Sequence, residues 1–301
     1  MASATRPYHG GMNSLAPLMA DWYRKAARDL PWRRDGTTPW GELVSEIMLQ
    51  QTPAARVVPY WQRWMTDWPQ PGDLAAANPA DVIRAWGTLG YPRRSLWLRE
   101  CAVTIARSHG GEVPDDEAVL RTLPGIGQYT AAAIASFAFG RRAVVLDTNI
   151  RRVIARVFGG QALPPPGLTA SERARAESLL PRDAAAAVDW NRATMELGAL
   201  ICHARQPDCP ACPLEAACAW RRNGYPGDAH AGARRVQRYE GTDREARGRV
   251  MGMLRQGDGT AIAVAAIVAA LPRPDQAKRA IAGLVADGLA VPDGADLRLP
   301  G

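Results

Sequence analysis

Lysine is almost missing from this sequence: of its 37 basic residues only Lys25 and Lys278 are lysines, and arginine carries the rest of the positive charge. Long apolar runs are missing as well. No segment approaches the length of a membrane span and none near the start has the form of a signal peptide, so a helical membrane protein is excluded and the expected compartment is the cytoplasm. Almost nothing alternates in the manner of a strand, which excludes a sheet-built fold and leaves a mainly α chain. Cysteine is scarce and badly distributed for a disulfide framework, since four of the five fall between residues 202 and 218.

What is present is apolar bulk and basic charge. With 47% hydrophobic residues in 301, the chain can bury two modest cores and a small third. A net charge of +7 and a pI near 9.5 suit an anionic partner. Arginine pairs recur at element ends, at 93–94, 141–142, 151–152, 221–222 and 234–235; any one pair fits a solvated surface, whereas the series fits phosphate, which the planar guanidinium matches well.

Residues 1–12 lack periodicity and are expected to be disordered. Ser14 to Asp29 reads as an amphipathic helix with Leu18, Trp22 and Ala26 on one face, ending in the connector Leu30-Pro31-Trp32-Arg33. After Pro39 a helix to Gln51 carries Leu43, Ile47 and Met48 on a stripe, with Glu46 among them and Gln50-Gln51-Thr52 before Pro53. A glutamate in such a helix ordinarily faces solvent. Further helical segments follow, interrupted by Trp86-Gly-Thr-Leu-Gly-Tyr-Pro92, where Leu89 and Tyr91 flank a glycine; an aromatic there either closes a core or wedges between bases.

Leu123-Pro-Gly-Ile-Gly127 joins two helical patterns, the second an alanine-rich helix from Tyr129 to Phe139. Its glycines permit a tight turn whose outward N–H groups suit a phosphate, or it is an ordinary helix corner. The apolar run Ala143 to Leu146 stops at Asp147, placed to cap a helix from Ile150 to Phe158. Capping also keeps a carboxylate ionised and oriented. Two more helices, near 171–180 and 189–201, lead to Cys202-x6-Cys209-x2-Cys212-x5-Cys218. Clustered thiolates without a secretory signal point to a metal rather than disulfides; zinc is one reading, although its sites usually pair two short CxxC knuckles. Cys101 stands apart as a core thiol. From Asn223 to Gly241 the chain is Gly-, Pro- and Arg-rich and reads as a linker. Three short helices and a Pro-Asp-Gly hairpin then resemble a winged helix, with a capping bundle as the alternative.

Taken together, SEIMLQQT, LPGIGQYT, VLDTNIRRV and the cysteine spacing resemble the MutY-type adenine glycosylases of the helix-hairpin-helix superfamily, over about residues 15 to 222. The resemblance implies a two-lobed fold with a 4Fe-4S cluster loop, to which the residue pattern adds the small C-terminal winged-helix-like domain. Its divisions would be 1–29 packing with the iron-sulfur lobe, 30–142 as the hairpin lobe, 143–222 as the cluster lobe, 223–242 as linker and 243–301 as the terminal domain. It makes Glu46 the catalytic acid, Asp147 the carboxylate facing the sugar, and Tyr129 their hydrogen-bonding companion. Gln51, Thr52, Leu89 and Tyr91 would face the opposing base. Leu123, Gly125, Gly127 and Asn149 would grip DNA, Trp32, Arg33 and Glu196 would line the base pocket, and Cys202, Cys209, Cys212 and Cys218 would hold the cluster.

Glycosylases that also cut the strand place a lysine at the position of Tyr129 to form a Schiff base. With no lysine between 25 and 278, the implied reaction is hydrolysis alone, on double-stranded DNA with adenine opposite 8-oxoguanine or guanine, by a monomer. Many relatives end in a larger nudix-like domain that helps recognise 8-oxoguanine, and here the winged-helix pattern stands instead, with Arg279 and Arg298 as its expected phosphate contacts. A thymine or uracil mismatch glycosylase shares Tyr129 and the cluster but lacks the acid at Glu46. A non-catalytic iron-sulfur DNA-binding protein needs neither carboxylate.

Overall fold

A computed structural model of the chain describes residues 12–234, 239–257 and 259–301, so that the reading of the first eleven residues and of Arg235 lies outside the described residues. The chain packs as two units, one built from residues 12–29 and 128–234, the other from 30–127 and 239–301. No described helix is long and apolar enough to cross a membrane.

The first unit contributes α1 (Met12–Ala26); the second then supplies α2 (Pro39–Leu49), α3 (Ala54–Asp67), α4 (Pro71–Ala76), α5 (Pro79–Trp86), α6 (Arg93–Ser108) and α7 (Glu117–Leu120). The chain returns to the first unit for α8 (Gln128–Phe137), α9 (Thr148–Val157), α10 (Ala170–Leu179), α11 (Ala184–Leu200) and α12 (Ala219–Arg222). It ends in the second unit with α13 (Asp243–Gln256), β1 (Ile262–Ala263), α14 (Val264–Ala270), α15 (Pro274–Ala286), β2 (Val291–Asp293) and β3 (Asp296–Arg298).

Local chemistry sets these boundaries. Thr38 accepts the Gly41 N–H and Pro39 opens α2 with its φ already helical. Asp183 accepts the Ala186 N–H, which starts α11 five residues before the periodicity at Asp189 suggests. Gln128 to Phe137 is helical where Tyr129 to Phe139 was expected, because Gly140 turns the chain at φ +65°.

Two faces differ from the sequence pattern. In α1 the buried residues are Leu15 and Met19, which pack against Trp190 and Leu197 of the first unit, while Leu18 is exposed. In α2 every residue from Trp40 to Met48 is buried, so the helix is enclosed all round instead of presenting one apolar stripe. Tryptophans fill the space about it: Trp64 lies edge-on to both Trp68 and Trp86, and Trp32 edge-on to Trp61.

The C-terminal segment has winged-helix character, with antiparallel strands in the order β1-β3-β2; the two-residue β1, opposite Leu297 and Asp296, is too short to show in the sequence. It does not stand alone. Val250, Met251 and Leu254 of α13 share one apolar cluster with Ala80 and Ile83 of α5, so the terminal helices and the residue 30–127 segment have a common core. The stretch read as a linker is held as far as Arg234, which donates to Asp228 and to the Pro164 carbonyl, while Tyr225 packs edge-on against Trp220.

Replacing Ile83 by alanine therefore removes packing from both segments, and a loss of about 3 kcal/mol is expected from cavity formation. Thermal unfolding monitored by circular dichroism measures it; an unshifted midpoint would show that the shared core does not exist.

Candidate active site

Asp147 caps α9, and its cap is an unusually complete one. Oδ1 accepts the Ile150 N–H at 2.6 Å and Oδ2 accepts Asn149 Nδ2 at 2.7 Å. Burial pushes this carboxyl above its ordinary value, and the donors from Ile150 and Asn149, together with the nearby Arg152 charge, oppose the rise. Asn149 Oδ1 in turn accepts from Arg152, whose guanidinium also donates to the Gly198 carbonyl at 2.7 Å and the Cys202 carbonyl at 2.6 Å. One helical turn on, Arg156 donates to Cys202 Sγ at 3.3 Å and to the His203, Ala204 and Ala162 carbonyls. A run of hydrogen bonds thus connects the carboxylate of Asp147 to the cysteine loop.

The close approach of α9 and α11 makes this possible. A Cβ on Gly198 would stand 2.6 Å from Asn149 Cβ and 2.9 Å from its Cα, so only glycine fits there. Two residues earlier Glu196, fully buried, takes a fork from Arg28: Nε at 2.7 Å, a terminal nitrogen at 2.8 Å, and the Arg28 backbone N–H at 3.0 Å. Glu196 and Tyr129, which is half-buried near the start of α8, belong to the same unit as Asp147.

Glu46 lies in the other unit, 4% exposed on α2, with Ser45 and Glu42 also buried nearby in sequence. The expectation for an ordinary glutamate, a solvent-facing side chain, does not hold. Trp32 is buried and Arg33 half-buried in the short turn Pro31–Arg33 of that unit.

The segments on either side of α2's exit form a distinct constellation. Arg94, buried at the start of α6, donates to the carbonyls of Ile47, Gln50 and Gly90, and stacks over Trp86 and Tyr91. Burial lowers its pKa to about 10, still charged at neutral pH. It pins the QQT segment to the GLGY loop, and sequence reasoning missed it, having read Arg93-Arg94 as a surface pair. Within this frame Thr52 is buried, its hydroxyl donating to the Leu89 carbonyl at 3.3 Å, and Leu89 packs inward. Gln51 and Tyr91 are the exposed members, and both hold left-handed backbone, at φ 57° and 47°.

In the hairpin, Gly125 has φ +77°, and a Cβ there would meet Trp97 Cβ at 3.0 Å, whereas Gly127 has open space about its α-carbon. Leu123 is buried beneath. Among the described residues the N–H groups of Gly125 and Gly127 have no backbone acceptor. Cys202, Cys209, Cys212 and Cys218 line one cavity with Arg156, Trp220 and Arg221. Burial, reinforced by the neighbouring cysteines, pushes Cys212 up to about 12 and raises Cys218. Cys212 and Cys218, raised in this way, stay protonated unless a cationic centre neutralises them. Cys101 is buried and alone, pushed up to about 12 by desolvation, as a core thiol should be.

A family model for HhH-GPD superfamily base excision DNA repair proteins matches residues 44–177. An adenine DNA glycosylase of Mycobacterium tuberculosis is 48% identical over 288 residues, 95% of this chain and 92% of its own. The human adenine DNA glycosylase is 40% identical over 68% of this chain and 39% of its own length. Among solved structures, a thermostable thymine-DNA glycosylase superposes with a TM-score of 0.63 at 27% identity, covering 70% of this chain and 97% of that one. A non-covalent endonuclease III–DNA complex superposes with a TM-score of 0.60 at 23% identity, over 71% of this chain and 97% of that one, and shares the fold. With near-half identity along almost its whole length and the family match, the chain belongs to the adenine DNA glycosylases of the HhH-GPD superfamily.

Proposed function

We propose that the protein hydrolyses the N-glycosidic bond of adenine opposite 8-oxoguanine or guanine in duplex DNA, leaving an abasic site. The observation that carries this is the pair of carboxylates in opposite settings: Glu46 enclosed in an apolar helix, Asp147 held by oriented donors at a helix start. Adenine leaves deoxyribose readily only when protonated, and the sugar left behind is cationic. Glu46 supplies the proton, to adenine N7, and Asp147 faces the developing charge. Tyr129 takes the position of a lyase lysine and offers no amine, so no Schiff base forms.

The cysteine set fits a 4Fe-4S cluster held by Cys202, Cys209, Cys212 and Cys218, since these four thiol residues line one cavity and Arg156 donates to Cys202 Sγ. Such a cluster supplies a fixed, charge-balanced knot for the loop, and the protein's own residues do the chemistry. The hairpin glycines offer N–H groups to phosphate, and the partner is DNA, as in the endonuclease III complexes that share the fold. Thymine or uracil excision is the second reading, favoured by a thymine/uracil-DNA glycosylase of Pyrobaculum aerophilum that is 34% identical over 64% of this chain. Glu46 weighs against it, because those bases leave without N7 protonation.

Glu46→Gln should lower the single-turnover rate of adenine release by about 10²- to 10⁴-fold while duplex affinity stays within twofold, since the amide keeps the shape and lacks the proton. Unchanged release would remove Glu46 from the chemistry. The pH profile gives an independent check on Asp147. Its raised pKa means that the carboxylate protonates, and the rate falls, at a higher pH than for an ordinary aspartate; Asn149→Ala removes a donor that opposes the rise and should move that acid limb further upward. An acid limb that stays in place in the variant would confine Asp147 to capping. Tyr129→Lys should let an amine reach the sugar, read as a protein–DNA adduct trapped by borohydride; a folded variant that traps nothing places position 129 away from the sugar.

A further inference from the structure

The second unit contains a cleft of about 870 Å³, large enough for a nucleotide, with the QQT and GLGY segments on one wall and α13 on the other. Its charge is lopsided: seven arginines line it against two acids, Glu245 and Asp287. Asp287 is shared by Arg93 and Arg247, Glu245 is taken by Arg249, and Arg94 is buried among carbonyls. Arg56, Arg244 and Arg255 are left with no acidic partner among the described residues. Arg56 and Arg255 spend donors on the Thr88 and Met251 carbonyls. Arg244 differs: it is exposed, stacks 4.3 Å above the Tyr91 ring and 5.6 Å from that of Tyr239, and among the described residues donates no hydrogen bond. An exposed guanidinium beside two aromatic rings in a basic cleft is suited to a phosphodiester.

The groups expected to contact phosphate are engaged elsewhere. Arg279 forks onto Asp243, Arg298 lies against Asp293, and α15 buries Ala277, Ala280 and Leu284. Each of these arginines therefore already faces a carboxylate, which Arg244 does not among the described residues.

Resting on the glycosylase reading above, we propose that α13 is the second wall of the groove that receives the strand opposite the excised adenine. Arg244 contacts a phosphodiester of that strand beside the base that Gln51 and Tyr91 face. The terminal domain is then a reader of the lesion-bearing strand, and its recognition surface is its first helix.

The test uses the full-length protein and duplexes carrying a tetrahydrofuran abasic analogue opposite 8-oxoguanine, with affinity followed by fluorescence anisotropy across a salt series. Arg244→Ala should weaken binding about tenfold and reduce the salt slope by about one, whereas Arg279→Ala leaves both unchanged. Neutral methylphosphonates at the phosphates flanking 8-oxoguanine should weaken the wild type to a similar degree and add nothing to Arg244→Ala. The same substitution in the analogue-bearing strand should add fully to the variant's loss. Arg244→Lys, which keeps the charge, should restore most of the salt slope and controls for misfolding. Unaltered binding by Arg244→Ala, or additivity on the 8-oxoguanine strand, overturns the proposal and leaves the cleft for some other partner. Absence of adenine release by the wild type would overturn the glycosylase reading instead, and the binding arms would still decide the role of Arg244.

Discussion

The buried guanidinium of Arg152 is the constraint on which the candidate chemistry rests. It reaches Asn149 on its own helix, the Gly198 carbonyl at the end of α11 and the Cys202 carbonyl at the mouth of the cysteine loop. A desolvated cation of this kind is tolerable only when its donors are satisfied, so displacement of any of the three partners is resisted by the other two. Asp147 inherits that rigidity through Asn149. The glycine at 198 is the geometric condition for it, because the helices could not otherwise approach closely enough for the guanidinium to reach both carbonyls. The cysteine loop is in this sense part of how the Asp147 carboxylate is kept in register.

Arg94 does for the second unit what Arg152 does for the first. By joining the carbonyls at the end of α2 to the Gly90 carbonyl, it stabilises two segments about forty residues apart in backbone conformations that Gln51 and Tyr91 would not adopt unaided. Strain at exposed residues is thus balanced by hydrogen bonds beneath them. The Thr52 hydroxyl and Leu89 are buried in this frame, and Gln51 and Tyr91 are its exposed residues.

The α-helical class, the helix around Glu46, the cap at Asp147, the hairpin glycines and the cysteine set were all legible in the sequence, because each depends on spacing along one segment. The buried arginines were not. In a chain where arginine serves nearly every basic position, its letter does not distinguish a solvated charge from Arg94, Arg152 or Arg156, which lie in the interior. Their role depends on carbonyls brought from distant segments. The face of α1 was misread for a related reason: Leu15 and Leu18 are equally apolar, and only the partner helix α11 decides which is covered. The terminal segment's character was legible from its three short helices and turn, whereas its packing against α5, through Ala80 and Ile83, was not.

That packing orders the protein's birth. The unit that includes Glu46 is discontinuous, and its apolar cluster is completed by residues from Ala246 onward. At a ribosomal pace of roughly 5–20 residues per second, the stretch around Ile83 emerges several seconds or more before its partners on α13. During that interval the exposed face of α5 is a site for chaperone capture or for self-association. The intervening unit, with its own core, can complete itself in the meantime, so that the unit holding Glu46 is the last to be completed.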